Sequence, residues 1–283
     1  MSTAEVGHTL GAGGTRLRTL AWTVERPRAR VQVVHGLSEH VGRYDLLAAA
    51  LNRAGYSVFG HDHRGHGGSE GRRGVFGRFP DLVADVGHVR SLADRLAPGP
   101  GAPFLVAHSL GGLVGIRYLQ TVRPELPGAV ISAPWLGTAA RMTLVERFVA
   151  PLLRRLAPDL PLKRAMRPEL LTRDPERVRA YREDPLVGSS LAVSFFDQVG
   201  EAQQAALGAG LPEGVSAVVL IPGDDALADG DLARRWARGA GLEVWELPDT
   251  RHEPFNDLSR NETFERLVEW LNVRASPGGK EDG

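Results

Sequence analysis

The sequence predicts an α/β protein: a mostly parallel central sheet flanked by helices and interrupted by a helical insertion. Six short apolar runs supply the strands, "VQVV" at 31–34, "YSVF" at 56–59, "PFLV" at 103–106, "GAVI" at 128–131, "AVVLI" at 217–221 and "LEVWEL" at 242–247. Short, mostly apolar runs of this length look like buried strands. Between most of them, apolar residues recur at helical spacing, as in Leu46, Leu47, Ala50, Leu51 and Ala54, or Leu82, Val86, Val89, Leu92 and Leu96. Strand alternating with helix argues for parallel strands with helices on both faces.

Along the chain, "LRTLAWTV" at 17–24 is expected as an antiparallel edge strand ahead of the alternating units. The alternation then runs to "GAVI" and stops. From about Trp135 to Leu211 no convincing strand is legible, only proline-separated amphipathic pieces such as "LVERFVAPLLRRL" and "DPERVRAYRED". The division expected is a core made of residues 1–134 and 212–275, a helical cap insertion at 135–211, and a disordered tail at 276–283. Long insertions in sheets of this kind sit where ligands enter. Leu144, Val145, Phe148, Val149, Leu152 and Leu153 are spaced to form one apolar face of that insertion, suited either to an acyl chain or to packing on the core.

Composition excludes several classes of function. The 283 residues carry 34 basic and 34 acidic side chains, so no net charge draws the chain to nucleic acid. Without a cysteine there is no disulfide, thiolate metal site or thiol nucleophile. No segment approaches the length of a membrane span, and "MSTAEVGHTLGAGGTRLRTL" lacks a charged start followed by an apolar run. A soluble, cytoplasmic protein acting on a small neutral or amphiphilic molecule is expected, with its oligomeric state left open.

The chemistry centres on "LVAHSLGG" at 105–112, which sets Ser109 between a strand and a helix. Acyl transfer needs an exposed nucleophile, a base, a group to orient that base, and donors for the oxyanion. Gly111 permits the sharp turn, although A-H-S-L-G departs from the usual G-x-S-x-G by placing Ala107 first. His108 adjoins the serine, and neighbours in so tight a turn point apart, so His252, on the loop after the last strand, is the better base. The orienting acid is expected on "PGDDALADGD". Asp225 is chosen there, Asp224 is its rival, and Asp229 is read as a helix cap. The order Ser109, Asp225, His252 is that of serine hydrolases with a nucleophile elbow. After the strand at 31–34, His35-Gly36 brings the backbone N–H of Leu37 toward the serine, and the N–H of Leu110 supplies the second oxyanion donor.

At this point the chain resembles the monoacylglycerol lipase and lysophospholipase branch of the serine α/β-hydrolases over nearly its whole length. "HGLSEHVGRY" is similar to that branch's H-G-x-x-E-H-x-x-R-Y, and "GHDHRGHGGSEGRRG" at 60–74 to its G-x-D-x-R-G-H-G-x-S-x-G-x-R-G. "GDDALAD" and "RHEPFND" resemble the segments that carry the acid and the histidine, which maps the acid onto Asp225. The resemblance implies the α/β-hydrolase fold and hydrolysis of a carboxylic ester with one acyl chain, through an acyl-enzyme and without a cofactor. It also implies an apolar channel beneath the cap. Glu39 and Arg43 match positions near the polar end of the substrate site, while Asp62, Arg64, His66 and Ser69 are expected to brace loops. His61, His63 and His66 cluster, but with Arg64 among them no metal site is expected. The alternatives are an esterase for short, non-lipid esters and a binding protein that keeps the fold without the chemistry.

Overall fold

The computed structural model describes residues 4–138, 161–163, 166–188 and 190–275. The apolar piece 144–156 and the tail 276–283 lie outside the described residues. Eight strands form the central sheet: β1 (Glu5–Leu10), β2 (Arg16–Trp22), β3 (Ala29–Val34), β4 (Tyr56–His61), β5 (Phe104–His108), β6 (Ala129–Ser132), β9 (Ala217–Pro222) and β10 (Glu243–Leu247). Their order is β1-β2-β4-β3-β5-β6-β9-β10. The pairs β1·β2 and β2·β4 are antiparallel, and every other pair is parallel. β3, β4, β5, β6 and β9 are buried at every position, which is why their sequences are mostly apolar rather than alternating, with only a few polar residues such as Gln32 and Ser57 inside.

Helices cover both faces. On one, Leu82 and Val86 of the helix Phe79–Ser91, Leu113 and Ile116 of Leu110–Thr121, and Trp236 of Gly230–Gly239 pack with Val34, Leu105 and Val219. On the other, Leu47 and Leu51 of Asp45–Arg53 and Leu267 and Leu271 of Arg260–Ala275 pack with Val31, Val58 and Val218. Among the described residues no helix is long and apolar enough to cross a membrane.

Three details differ from the sequence expectations. The segment 17–24 is not the edge of the sheet, because β1 adds outside it. β1 escaped notice since Val6 and Leu10 are more than half exposed, Gly7 interrupts it, and no alternating apolar face remains. Inside the interval 135–211 two short strands, β7 (Pro161–Lys163) and β8 (Ser190–Ala192), pair antiparallel. The helix Val193–Leu207, in the same interval, buries Phe195, Val199, Ala202 and Ala206 in the cluster of Leu113 and Ile116. That end of the interval is therefore a layer of the core.

Candidate active site

Ser109, Asp225 and His252 all follow the carboxyl ends of parallel strands, where open α/β sheets gather their ligands. Ser109 comes directly after β5 and heads the helix Leu110–Thr121, with φ +54 in the left-handed region. Such a conformation costs about 1–3 kcal/mol and persists only when its surroundings fix it. Here the Ser109 N–H donates to Ser132 O at 2.9 Å, and its own carbonyl accepts from Leu113 and Trp135 at 3.1 and 3.0 Å. The turn admits no side chain two residues on, because a Cβ at Gly111 would meet Val34 O at 2.3 Å and His35 O at 2.4 Å. Ala107 is accommodated in place of the usual glycine because the helix passes it at Gly115, where a Cβ would lie 2.8 Å from that of Ala107.

His252 bridges the other two side chains. Its Nε2 lies 2.8 Å from Ser109 Oγ, and its Nδ1 lies 2.7 Å from Asp225 Oδ2, although 143 positions of sequence separate the serine from the histidine. Asp225 Oδ1 accepts from the N–H groups of Leu227 and Ala228 at 2.8 and 3.1 Å, which fixes the carboxylate as well as its charge. Burial by itself would push the His252 pKa down, but the Asp225 charge and hydrogen bond outweigh it and hold the imidazole above its ordinary 6.5. Asp225 answers in kind: burial opposes its ionisation, and His252 with the two backbone N–H groups holds its pKa below the usual carboxylate range. An imidazole so placed can withdraw the serine proton and carry the resulting charge beside a carboxylate.

The competing residues are placed elsewhere. Asp224 is exposed and pairs with Arg251 at 3.2 Å. Asp229 caps the helix Gly230–Gly239 by accepting from Leu232 N–H. His108 turns its Nδ1 to Ser132 Oγ at 3.2 Å and stays neutral, its pKa driven down by burial and then by the charge of His252.

The loop after β3 abuts Ser109, and a Cβ on Gly36 would sit 3.2 Å from Ser109 Cβ. Its neighbour Leu37 lies there half-buried, while Leu110 is the first residue of its helix, where N–H groups have no partner within the helix. Glu39 and Arg43 are buried, 3 and 7% exposed. Glu39 accepts from Gly36 N–H at 2.5 Å and Tyr44 Oη at 2.9 Å, and Arg43 donates to Glu39 at 3.2 Å and to Glu253 at 2.5 Å. Burial, and then the charge of Glu253, raises the Glu39 pKa. Both side chains are thus engaged by the protein itself. Sequence reasoning missed Glu253, whose position next to His252 was the available signal.

The glycine-rich loop after β4 ties the site together. Asp62 accepts from Val41 and Gly68 N–H, Ser69 Oγ donates to Asp62 O, and Arg64 pairs with Asp85. His63 N–H donates to His35 Nε2 at 2.8 Å, and His35 Nδ1 in turn meets Gly36 O at 2.7 Å. Among the described residues no three His, Asp or Glu side chains are grouped to hold a metal.

A family model described as serine aminopeptidase, S33, matches residues 25–259. The chain belongs to this family. The S33 chain is 30% identical over 273 residues to a monoacylglycerol lipase of Mycolicibacterium smegmatis, covering 92% of its own length and 94% of that protein. It is 27% identical to the phospholipase YtpA of Bacillus subtilis, over 86% of this chain and 95% of the other. The crystal structure of the monoacylglycerol lipase of Paleococcus ferrophilus superposes with a TM-score of 0.79 at 30% identity, covering 91% of this chain and 99% of that one. The S33 chain is accordingly a carboxylic-ester hydrolase of the serine type, with the α/β-hydrolase fold, in the monoacylglycerol lipase branch.

Proposed function

We propose that the protein hydrolyses the ester of a monoacyl lipid, a monoacylglycerol or a lysophospholipid, with Ser109 as nucleophile, His252 as general base and acid, and Asp225 as the group that orients the imidazole. The observation that carries this reading is the hydrogen-bonded line Ser109 Oγ, His252 Nε2, His252 Nδ1, Asp225 Oδ2, with steps of 2.8 and 2.7 Å. Ser109 Oγ adds to the ester carbonyl as its proton passes to Nε2. The carbonyl oxygen becomes an oxyanion held by the N–H groups of Leu37 and Leu110 and by the positive end of the nucleophile helix. Collapse expels the alcohol with the proton from Nε2, leaving an acyl-serine. Water repeats the sequence and releases the fatty acid, so no cofactor enters.

An ester is favoured over a peptide by the likeness to monoacylglycerol lipases and a phospholipase. Glu39 and Glu253 share Arg43 as their cation. Glu39 and Arg43 are read here as supports of the site rather than contacts of the lipid. The interval 135–211, without the helix that joins the core, is read as the cap that receives the acyl chain, and the location is read as cytoplasmic.

The test uses purified wild type and Ser109→Ala with p-nitrophenyl esters of two to sixteen carbons, monoacylglycerols and lysophosphatidylcholine. Hydrolysis by the wild type alone, rising with chain length, is the expected result. A preference for two to four carbons shifts the reading to a short-ester esterase, and inactivity on every ester ends the hydrolase reading.

A further inference from the structure

Ser38 has φ +58, the left-handed region that a serine rarely adopts, and it lies one residue beyond Leu37. Two side chains from distant parts of the chain hold it there. His66, from the loop after β4, accepts the Ser38 N–H on Nε2 at 3.3 Å. Tyr181, on the helix Pro175–Glu183, donates its hydroxyl to the Ser38 carbonyl at 3.2 Å. His66 is itself stacked on Phe76, and the Tyr181 ring is 6% exposed and lies 4.6 Å from the Arg43 guanidinium. Both peptide units flanking Ser38 are therefore clamped, and they follow directly on the unit that bears the Leu37 N–H.

The helix that carries Tyr181 is fastened to both loops of the site. Toward the loop after β3, Arg177 donates to Arg43 O at 3.0 Å, and Asp184 meets His40 Nε2 at 2.7 Å. Toward the histidine loop, Leu171 O accepts Glu253 N–H at 2.9 Å, Thr172 Oγ1 donates to Asn256 O at 2.9 Å, and Asp174 pairs with Arg260. Residues 171–184 thus span the distance from the loop of Leu37 to the loop of His252.

We infer that Tyr181 is a positioning residue for the oxyanion hole: through the Ser38 carbonyl it holds the 35–41 loop in the one conformation that presents the Leu37 N–H to the substrate oxygen. This rests on the function proposed above. Residues 171–184 then do more than cover the site, because the donor is aligned only while the helix Pro175–Glu183 is seated. Tyr181 acts on the oxyanion and is indifferent to the alcohol that leaves.

Tyr181→Phe keeps the ring over Arg43 and deletes only the hydroxyl. The variant is compared with wild type on a p-nitrophenyl ester and a monoacylglycerol of the same acyl chain, with its thermal midpoint recorded. A long-chain alkyl trifluoromethyl ketone, which Ser109 Oγ converts to a tetrahedral oxyanion, is titrated as inhibitor. Losing a whole oxyanion donor costs a hundredfold or more, so a misaligned one is expected to lower kcat about tenfold on both esters with KM unchanged. Ketone affinity should fall by the same factor, and the midpoint should hold. A loss confined to the monoacylglycerol overturns the inference in favour of a head-group contact, and unchanged kcat on both esters overturns it outright. A loss of kcat without loss of ketone affinity does so too. If the wild type hydrolyses neither ester, the parent reading falls and takes this one with it, which separates the two failures.

Discussion

Asp225 and His252 meet at 2.7 Å through Oδ2 and Nδ1, while Asp224, the preceding residue, is turned to the surface and to Arg251. The backbone makes this choice. Asp225 folds its other oxygen onto the N–H groups of Leu227 and Ala228, a turn that aims its carboxylate inward.

This pair sets the first expectation. Only neutral imidazole can take the serine proton, so kcat/KM should rise with pH through an ionisation above 6.5, the direction in which Asp225 moves His252. Asp225→Asn should cut kcat by about 10⁴-fold at pH 7 through the wrong tautomer, with the fold retained. Asp224→Asn, at an exposed ion pair, should stay within about twofold. A large loss in Asp224→Asn with little in Asp225→Asn would reverse the assignment.

Stability should depend on the buried histidines with a definite sign. His35 and His61 titrate well below the ordinary value, His63 at about 4 and His66 at about 3, burial being the first cause in each. The unfolded chain binds these protons near pH 6.5, before the folded one does, so their contribution is complete above that pH and is lost as pH falls toward 4. Each histidine contributes a slope of about 1.4 kcal/mol per pH unit in that window. His252 has the opposite sign, its stabilisation fading as pH rises through its raised pKa. Thermal midpoints at pH 7, 6 and 5 should drop steeply, and a flat series would contradict the neutral cluster.

Arg43→Met tests the support role of the charged group. It leaves Glu39 and Glu253 buried without their shared cation and should destabilise by about 3–5 kcal/mol at pH 7. Glu253→Gln in the same chain should recover part of that loss. A normal midpoint with a raised KM would instead make Arg43 a substrate contact.

The elbow offers a paired test. Gly115→Ala forces a methyl against Ala107 and should cost about 1–3 kcal/mol, and Ala107→Gly added to it should restore the midpoint. Additive effects would mean that the two positions do not touch.

Much of this arrangement is legible in the sequence because it rests on local signals. All six apolar runs are strands; five of them are buried along their whole length and so are mostly apolar, while β10 keeps Glu243 and Glu246 exposed. Ser109 and His252 stand on strand-to-helix transitions that punctuation residues mark. What sequence could not give is orientation across distance. Asp224 and Asp225 are chemically identical neighbours, separated only by a turn. Tyr181 reads as an amphipathic helix residue until its hydroxyl is found on a carbonyl 143 positions away. β1 has no apolar face to announce it, because it needs only one neighbour and leaves its side chains in water.

The separation of 143 residues between Ser109 and His252 also governs how the protein matures. Strands β3 to β6 can pair as they are made, but the histidine loop is among the last described segments synthesised, and a contact between such distant positions is slow to close. A chain arrested before residue 250 can form the turn at Ser109 yet lacks His252. Activity thus requires the final third of the polypeptide, which supplies β9, β10 and the histidine loop, so its recovery on dilution from denaturant reports the docking of that part and not only the pairing of β3 to β6.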